Sequence, residues 1–231
     1  ANAVSALYTA SMAESPVVLV SGHAPLNQLG KGAFQEMAQA DIAAPLTKAS
    51  WTCLKVEDIA LDTAKAIRIA KSGRSGPTHL SLPSDLLESP VPQNASLPSG
   101  KDFEVELKPG DLNVSAILSL LMTSKKPLLL VGPMMLSKSG RKQLLQLEEA
   151  LNIPVIGMES PRGIGDPSLG AFSEVLSQAD CILLLGKKLD FTLKFGNSPG
   201  INPECNFLQI DPEENEIERV KKAVGNRLKS A

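Results

Sequence analysis

Short apolar runs recur along the chain with room for a helix between most neighbours: PVVLVSG (16–22), PTHLSLP (77–83), PLLLVGP (127–133), IPVIGM (153–158), CILLLG (181–186) and NFLQID (206–211). Most of them are apolar without a break. A strand with one wet face alternates apolar and polar residues, so an unbroken run belongs to a strand covered on both faces. The intervening stretches carry helical spacing. VEDIALDTAKAIRIAKSG sets Ile59, Ala60, Ala64, Ile67 and Ala70 along one face and stops at Gly73. SGRKQLLQLEEALN repeats the pattern with Leu144, Leu147 and Leu151, and DLNVSAILSLLMTS does so behind Asp111, the expected N-cap. Strand–helix–strand alternation with short connections predicts an α/β protein, with parallel sheets and flanking helices.

The rhythm breaks once. Residues 90–110, PVPQNASLPSGKDFEVELKPG, are rich in Pro, Ser and Gly without periodicity, and read as a linker between a first domain over 1–89 and a second over 111–231. The first part holds only two of the strand-like runs, too few for a parallel sheet with its own core, while the second holds four. With a first residue that is not Met, in a helix-like stretch, this predicts a fragment whose first part is half of a domain.

Several function classes are excluded by composition. A net charge of −2 supplies no basic field for nucleic acid or an anionic membrane. One Trp, one Tyr and six Phe make no stacking platform for single strands. No apolar run approaches the ~20 residues that span a bilayer. Cys53, Cys181 and Cys205 are odd in number, lack CxxC spacing and have no histidine cluster nearby, so neither a disulfide framework nor a metal site is expected, and a reducing, cytoplasmic setting is.

Candidate chemistry collects at strand ends, where parallel α/β sheets bind ligands. Gly22 and His23 follow the first run in SGHAP; a loop histidine there is either structural or a ligand contact. His79, inside PTHLSL, reads as a hydrogen-bonded strand residue. In the second half, Gly132 ends LLLVG, Gly186 ends ILLLG and Asp211 ends FLQID. Tight turns and a helix cap explain these three; a nucleotide site, with the acid on a ribose hydroxyl, explains them equally well.

The order ANAVSALYTA, ESPVVLVSGHAP, GKGAFQEMAQADIAAPLTKAS, AIRIAKSGRSGPTHLSLPSDL resembles the second half of the pyrimidine-binding domain of thiamine-diphosphate enzymes of the acetolactate synthase group. The later stretch, from KPLLLVGPMM to FLQIDPEENEIERV, is similar to that group's Rossmann-like central domain. The resemblance implies that Phe34 and Gln35, in the AFQE loop, lie against the cofactor across a subunit interface as catalytic residues, and that Gly30 and Gly32 let the backbone pass close. To the strand-end candidates for cofactor binding, Gly22, His23, Gly132, Gly186 and Asp211, it adds Arg74 of SGRSGP, matching a position that reaches a nucleotide. It implies thiamine diphosphate with Mg2+, the general acid and the diphosphate–metal site lying outside this chain, so that the fragment alone is inactive. ADP or FAD is the further candidate on the central domain, with GPMM favouring ADP. The expected partners are a 2-keto acid or an acyl-CoA and further copies of the chain, as homodimer or homotetramer. Ser84 stands in LPSD where many acetolactate synthases carry a lysine, which leaves room for the acyl-CoA lyase and oxalyl-CoA decarboxylase branch. A non-catalytic nucleotide-binding module and a dimerisation fragment without a ligand are the alternatives outside enzymes.

Overall fold

The computed structural model describes residues 2–93, 95–105, 113–159 and 163–229. They fall into two compact units, Ala1–Leu107 and Lys108–Ala231.

In the first unit, helix α1 (Ala3–Met12) leads into β1 (Val18–His23); α2 (Gln39–Ala43), β2 (Ala49–Thr52), α3 (Ile59–Lys71), β3 (Thr78–Pro83) and α4 (Ser84–Glu88) come after it. The strands form one parallel sheet in the order β1-β3-β2. Strand β3 is central, and Thr78, His79, Leu80 and Ser81 are all buried. Helix α3 covers one face with small residues: Ala64, Ala66 and Ala70 are buried. Their lack of bulk brings helix and sheet so close that Thr78 Oγ1 donates to the Ala66 carbonyl at 3.1 Å.

Strand β2 is absent from the expected runs. ASWT offers one large apolar residue and is half-buried throughout, so its strand character comes from pairing with β3 rather than from its own pattern. Part of the expected linker is also structured. A short 3-10 turn, Gly100–Phe103, is closed by a reciprocal cap between Ser99 and Asp102, and Arg68 Nη1 of α3 donates to the Asp102 carbonyl at 3.0 Å.

The second unit contains α5 (Val114–Thr123), β4 (Pro127–Val131), α6 (Lys138–Leu151), β5 (Val155–Gly157), α7 (Phe172–Gln178), β6 (Cys181–Leu185), β7 (Asn206–Ile210) and α8 (Glu214–Val224). Its parallel sheet has the order β5-β4-β6-β7. The unbroken apolar strands do what the sequence requires of them. Leu128, Leu130, Ile182, Leu184 and Phe207 pack with Phe172, Leu176, Val220 and Val224 on one face, while Leu129, Leu183 and Leu208 pack with Ile117 and Leu121 on the other. Cys181 and Cys205 sit in these layers as small apolar residues, and burial pushes the Cys205 thiol up to about 12. Asn113 caps α5, its side chain accepting from Ala116 N at 3.0 Å; Asp111, the cap expected from sequence, lies outside the described residues. Among the described residues no helix is long and apolar enough to cross a membrane, and no three His, Cys, Asp or Glu side chains are grouped to hold a metal ion.

One polar chain crosses the first sheet. His79 is 2% exposed, with Nε2 2.8 Å from Ser21 Oγ of β1 and Nδ1 2.7 Å from Ser50 Oγ of β2. Ser50 Oγ donates to the Ala40 carbonyl of α2 at 2.8 Å. A hydroxyl has one proton, so Ser50 accepts from His79 Nδ1–H, and Nε2 accepts from Ser21. The neutral ring is therefore matched at both nitrogens. Burial holds its pKa below the ordinary 6.5. The unfolded chain then binds the proton more readily than the folded one, so stability is full above pH 6.5 and declines as pH falls from there through the folded-state value. Denaturant unfolding between pH 7.5 and pH 5 should show this loss, with a slope of at most ~1.4 kcal/mol per pH unit from this one proton. His79→Gln should flatten the slope, and an unchanged slope in that variant would contradict the assignment.

Candidate functional site

Residues 24–38 form a loop at the carboxyl end of β1, and its shape is set by hydrogen bonds rather than by apolar packing. Its entrance is held by Asp85, at the carboxyl end of β3, whose Oδ2 accepts from Leu26 N at 3.0 Å. Its exit is held by β1: Gln39 Nε2 donates to the Gly22 carbonyl at 2.7 Å. His23 joins the two sides of the loop, with Nε2 3.2 Å from the Met37 carbonyl and Nδ1 2.9 Å from the Ala24 carbonyl. Both strand-end motifs, SGH and LPSD, thus serve the same loop.

The tip is bound from within. Glu36 folds back over GKGA, its carboxylate accepting from Gly30 N at 2.5 Å, Ala33 N at 3.0 Å and Gly32 N at 3.2 Å. Gly30 and Gly32 have φ of +76° and +77°, a conformation that glycine adopts at little cost, and this turns their N–H groups toward one point. Those hydrogen bonds, Gly30 and Ala33 first, hold the Glu36 carboxyl below its ordinary 4.5, with the charge of His23 adding to them. Between Gly32 and Glu36 stand Phe34, which is 86% exposed, and Gln35, whose φ of +61° is a left-handed conformation that a residue with a side chain keeps only when its surroundings enforce it. A Cβ added at Gly22, Gly30 or Gly32 would meet nothing within 4 Å, so the backbone along this edge is open to an approaching molecule.

The other candidates are placed differently. The Arg74 residue is 7% exposed, and its Nη1 lies 2.6 Å from Glu14 Oε1, in a buried ion pair that joins the end of α1 to the turn before β3. Such a pair is costly to break from one side. In the second unit Gly132, Gly186 and Asp211 sit just past the carboxyl ends of β4, β6 and β7. The strand order reverses between β4 and β6, because the chain runs from β4 to β5 on one side and returns to β6 on the other. Gly132 is needed there for close packing, since a Cβ on it would lie 1.9 Å from the Gly186 carbonyl oxygen. Gly186 itself has φ +61°. Asp211 Oδ1 accepts from Glu213 N at 3.0 Å, at the entrance to α8, and its Oδ2 lies 3.4 Å from Gln209 Nε2.

Sequence reasoning passed over several residues that the structure brings forward. Glu36, Gln39 and Asp85 hold the loop, and the only trace of this in the sequence is an acid behind two glycines and another behind LPS. Lys187, after Gly186, is 4% exposed; its Nζ donates to Thr192 Oγ1 at 3.0 Å and lies 3.7 Å from Asp190 Oδ2. Nothing in GKKLD tells which of the two lysines is buried.

Residues 114–227 match the family described as thiamine pyrophosphate enzyme, central domain. Over 227 residues the chain is 28% identical to oxalyl-CoA decarboxylase of Escherichia coli K12, covering 94% of this chain and 40% of that protein. It is 26% identical to the probable acetolactate synthase large subunit of Methanocaldococcus jannaschii, covering 94% of this chain and 39% of that one. With 2-hydroxyacyl-CoA lyase 1 of Dictyostelium discoideum the identity is 27%, over 89% of this chain and 37% of the relative. The chain thus spans about two-fifths of the length of these relatives. Among solved structures, a thiamine diphosphate-dependent 4-hydroxybenzoylformate decarboxylase from Rhodococcus jostii RHA1 shares the fold, with a TM-score of 0.71 and 20% identity over 95% of this chain and 44% of that chain.

Proposed function

We propose, from the premise that this chain belongs to the thiamine-diphosphate-dependent enzymes, that it is a segment of an enzyme that makes or breaks the carbon–carbon bond beside the carbonyl of a 2-keto acid. The observation that carries the reading is the loop tip: an exposed phenylalanine and a strained glutamine, presented on a bracketed loop at the carboxyl end of a parallel sheet. At 86%, Phe34 is the most exposed large apolar side chain among the described residues, and in this reading the cofactor and a further copy of the chain cover it. The residues fit the cofactor, because the backbone at Gly22, Gly30 and Gly32 leaves room beside them and the tip adds one apolar and one neutral polar group. When bound, thiamine diphosphate supplies the carbanion-stabilising chemistry, with Mg2+ on its diphosphate. Phe34 excludes water from the reacting carbon. The Gln35 amide donates or accepts a hydrogen bond to the substrate without bringing a competing charge.

The acyl-CoA branch is the nearer alternative within the same chemistry. Two of the three relatives above are named for acyl-CoA substrates, and Ser84 offers a 2-keto acid no cation at the start of α4.

A second reading concerns the central unit alone. The strand ends at Gly132 and Gly186 flank the point where the strand order reverses, the usual seat of a nucleotide in such sheets, and Asp211 ends the next strand out. A carboxylate accepts as many as about four hydrogen bonds, so Asp211 meets a ribose hydroxyl while it caps Glu213. ADP is preferred to FAD on the GPMM turn, and Arg74, held by Glu14, is not required for it.

Two measurements test these readings. In the enzyme that contains this segment, Gln35→Ala should lower kcat roughly ten- to a hundred-fold, the loss of ~1–3 kcal/mol from one hydrogen bond to a buried reacting group, while cofactor affinity stays within about two-fold. Unchanged steady-state kinetics would make the loop structural only. Calorimetric titration of the folded chain should show ADP binding that Asp211→Ala weakens by roughly ten-fold; no heat with ADP or with FAD would leave the central unit without a nucleotide site.

A further inference from the structure

We infer that Glu36 is the positioning residue of the Phe34–Gln35 tip: its carboxylate, closing a ring of three backbone amides, fixes the direction in which both side chains are presented. The assignment itself rests on geometry, and only its consequence for rate rests on the function proposed above.

A loop with two glycines in left-handed conformation has many alternatives open to it, and apolar burial does not select one at the tip: Phe34 is 86% exposed, and Gln35 is exposed. What selects one conformation is the donor set. Gly30, Gly32 and Ala33 each direct an N–H to the same carboxylate, and no neutral side chain accepts three such bonds as well as an ion does. Glu36 N in turn donates to the Ala33 carbonyl at 3.1 Å, closing a turn with Phe34 and Gln35 at its centre. The left-handed φ of Gln35 is the cost of this closure, and the three charge-assisted bonds offset it. The surrounding charges leave the arrangement to the backbone. Lys31 in the same loop directs its ammonium to the Asn27 carbonyl at 2.9 Å, and His23, at the end of β1, sets its two ring nitrogens against the Ala24 and Met37 carbonyls. The carboxylate therefore organises the tip from below and leaves the two presented side chains facing outward.

The test uses the amide resonances of the full chain. With falling pH, the Gly30, Gly32 and Ala33 amide protons should shift together, at one midpoint below 4.5, as the carboxylate that accepts from them is neutralised. The amides of the sheet report the fold independently. Glu36→Gln should abolish the shared titration and keep part of the protection against hydrogen exchange at these three amides; Glu36→Ala should lower that protection roughly ten-fold. Amides that do not titrate together, or that are equally protected in Glu36→Ala, would overturn the assignment. In the enzyme containing the segment, Glu36→Ala should then reduce kcat to near the level of Gln35→Ala with KM within about two-fold, and Glu36→Gln should recover part of the loss. If the amides respond as stated and kcat does not, the positioning role stands and the catalytic reading of the tip falls.

Discussion

The sheet that carries the loop of the first unit is tied together by the hydrogen-bond relay through His79. Ser21 on β1, His79 on β3 and Ser50 on β2 join all three strands, and the Ala40 carbonyl carries the chain on to the segment where the loop returns. A three-stranded parallel sheet has little surface to bury, so polar links between its strands matter more than they would in a larger core. Because the relay is satisfied only with a neutral imidazole, its strength depends on burial; Thr78 faces α3, so the adjacent His79 lies on the other face of the sheet, where Ser50 links it to α2. The loop then needs few further bonds. Asp85 fixes its entrance, Gln39 its exit and Glu36 its tip.

The second unit solves the same packing problem by other means. Its central strands are leucine-rich and fill both faces, so the sheet needs no polar relay. Its glycines also do different work. Gly132 lacks a Cβ because the carbonyl of Gly186 occupies that space, whereas a Cβ on Gly22, Gly30 or Gly32 would meet open space. Glycine at a strand end is therefore a packing requirement at Gly132, and leaves open space at Gly186 and at Gly22.

This distinction explains what was legible in the sequence. Unbroken apolar runs and helical spacing report burial directly, and they locate β1, β3 to β7, α3, α5 and α6 within a few residues. Strand β2 was hidden because ASWT becomes a strand only through its partner. The candidate site was legible as a list of residue types but not as a set of bonds. His23, Phe34 and Gln35 stand out by composition, while Glu36 and Asp85 matter through backbone donors several residues or a whole strand away. Arg74 shows the converse. Its motif suggests an outward contact, but sixty residues earlier Glu14 supplies a carboxylate that holds the guanidinium inside the unit, and no local pattern announces that pair.

Whether the tip at Phe34 meets the thiamine cofactor can be read directly from a single fluorophore placed there. Trp51 is the only tryptophan of this segment, so in the enzyme containing it the difference in indole emission between the Trp51→Phe, Phe34→Trp double variant and Trp51→Phe alone reports the tip. In the enzyme containing this segment, adding thiamine diphosphate with magnesium should quench and shift that emission as the exposed side chain becomes covered. The same double substitution in the Glu36→Ala background should show a weaker response. Emission from position 34 that stays unchanged while calorimetry shows the cofactor bound would contradict a tip that lies against the cofactor.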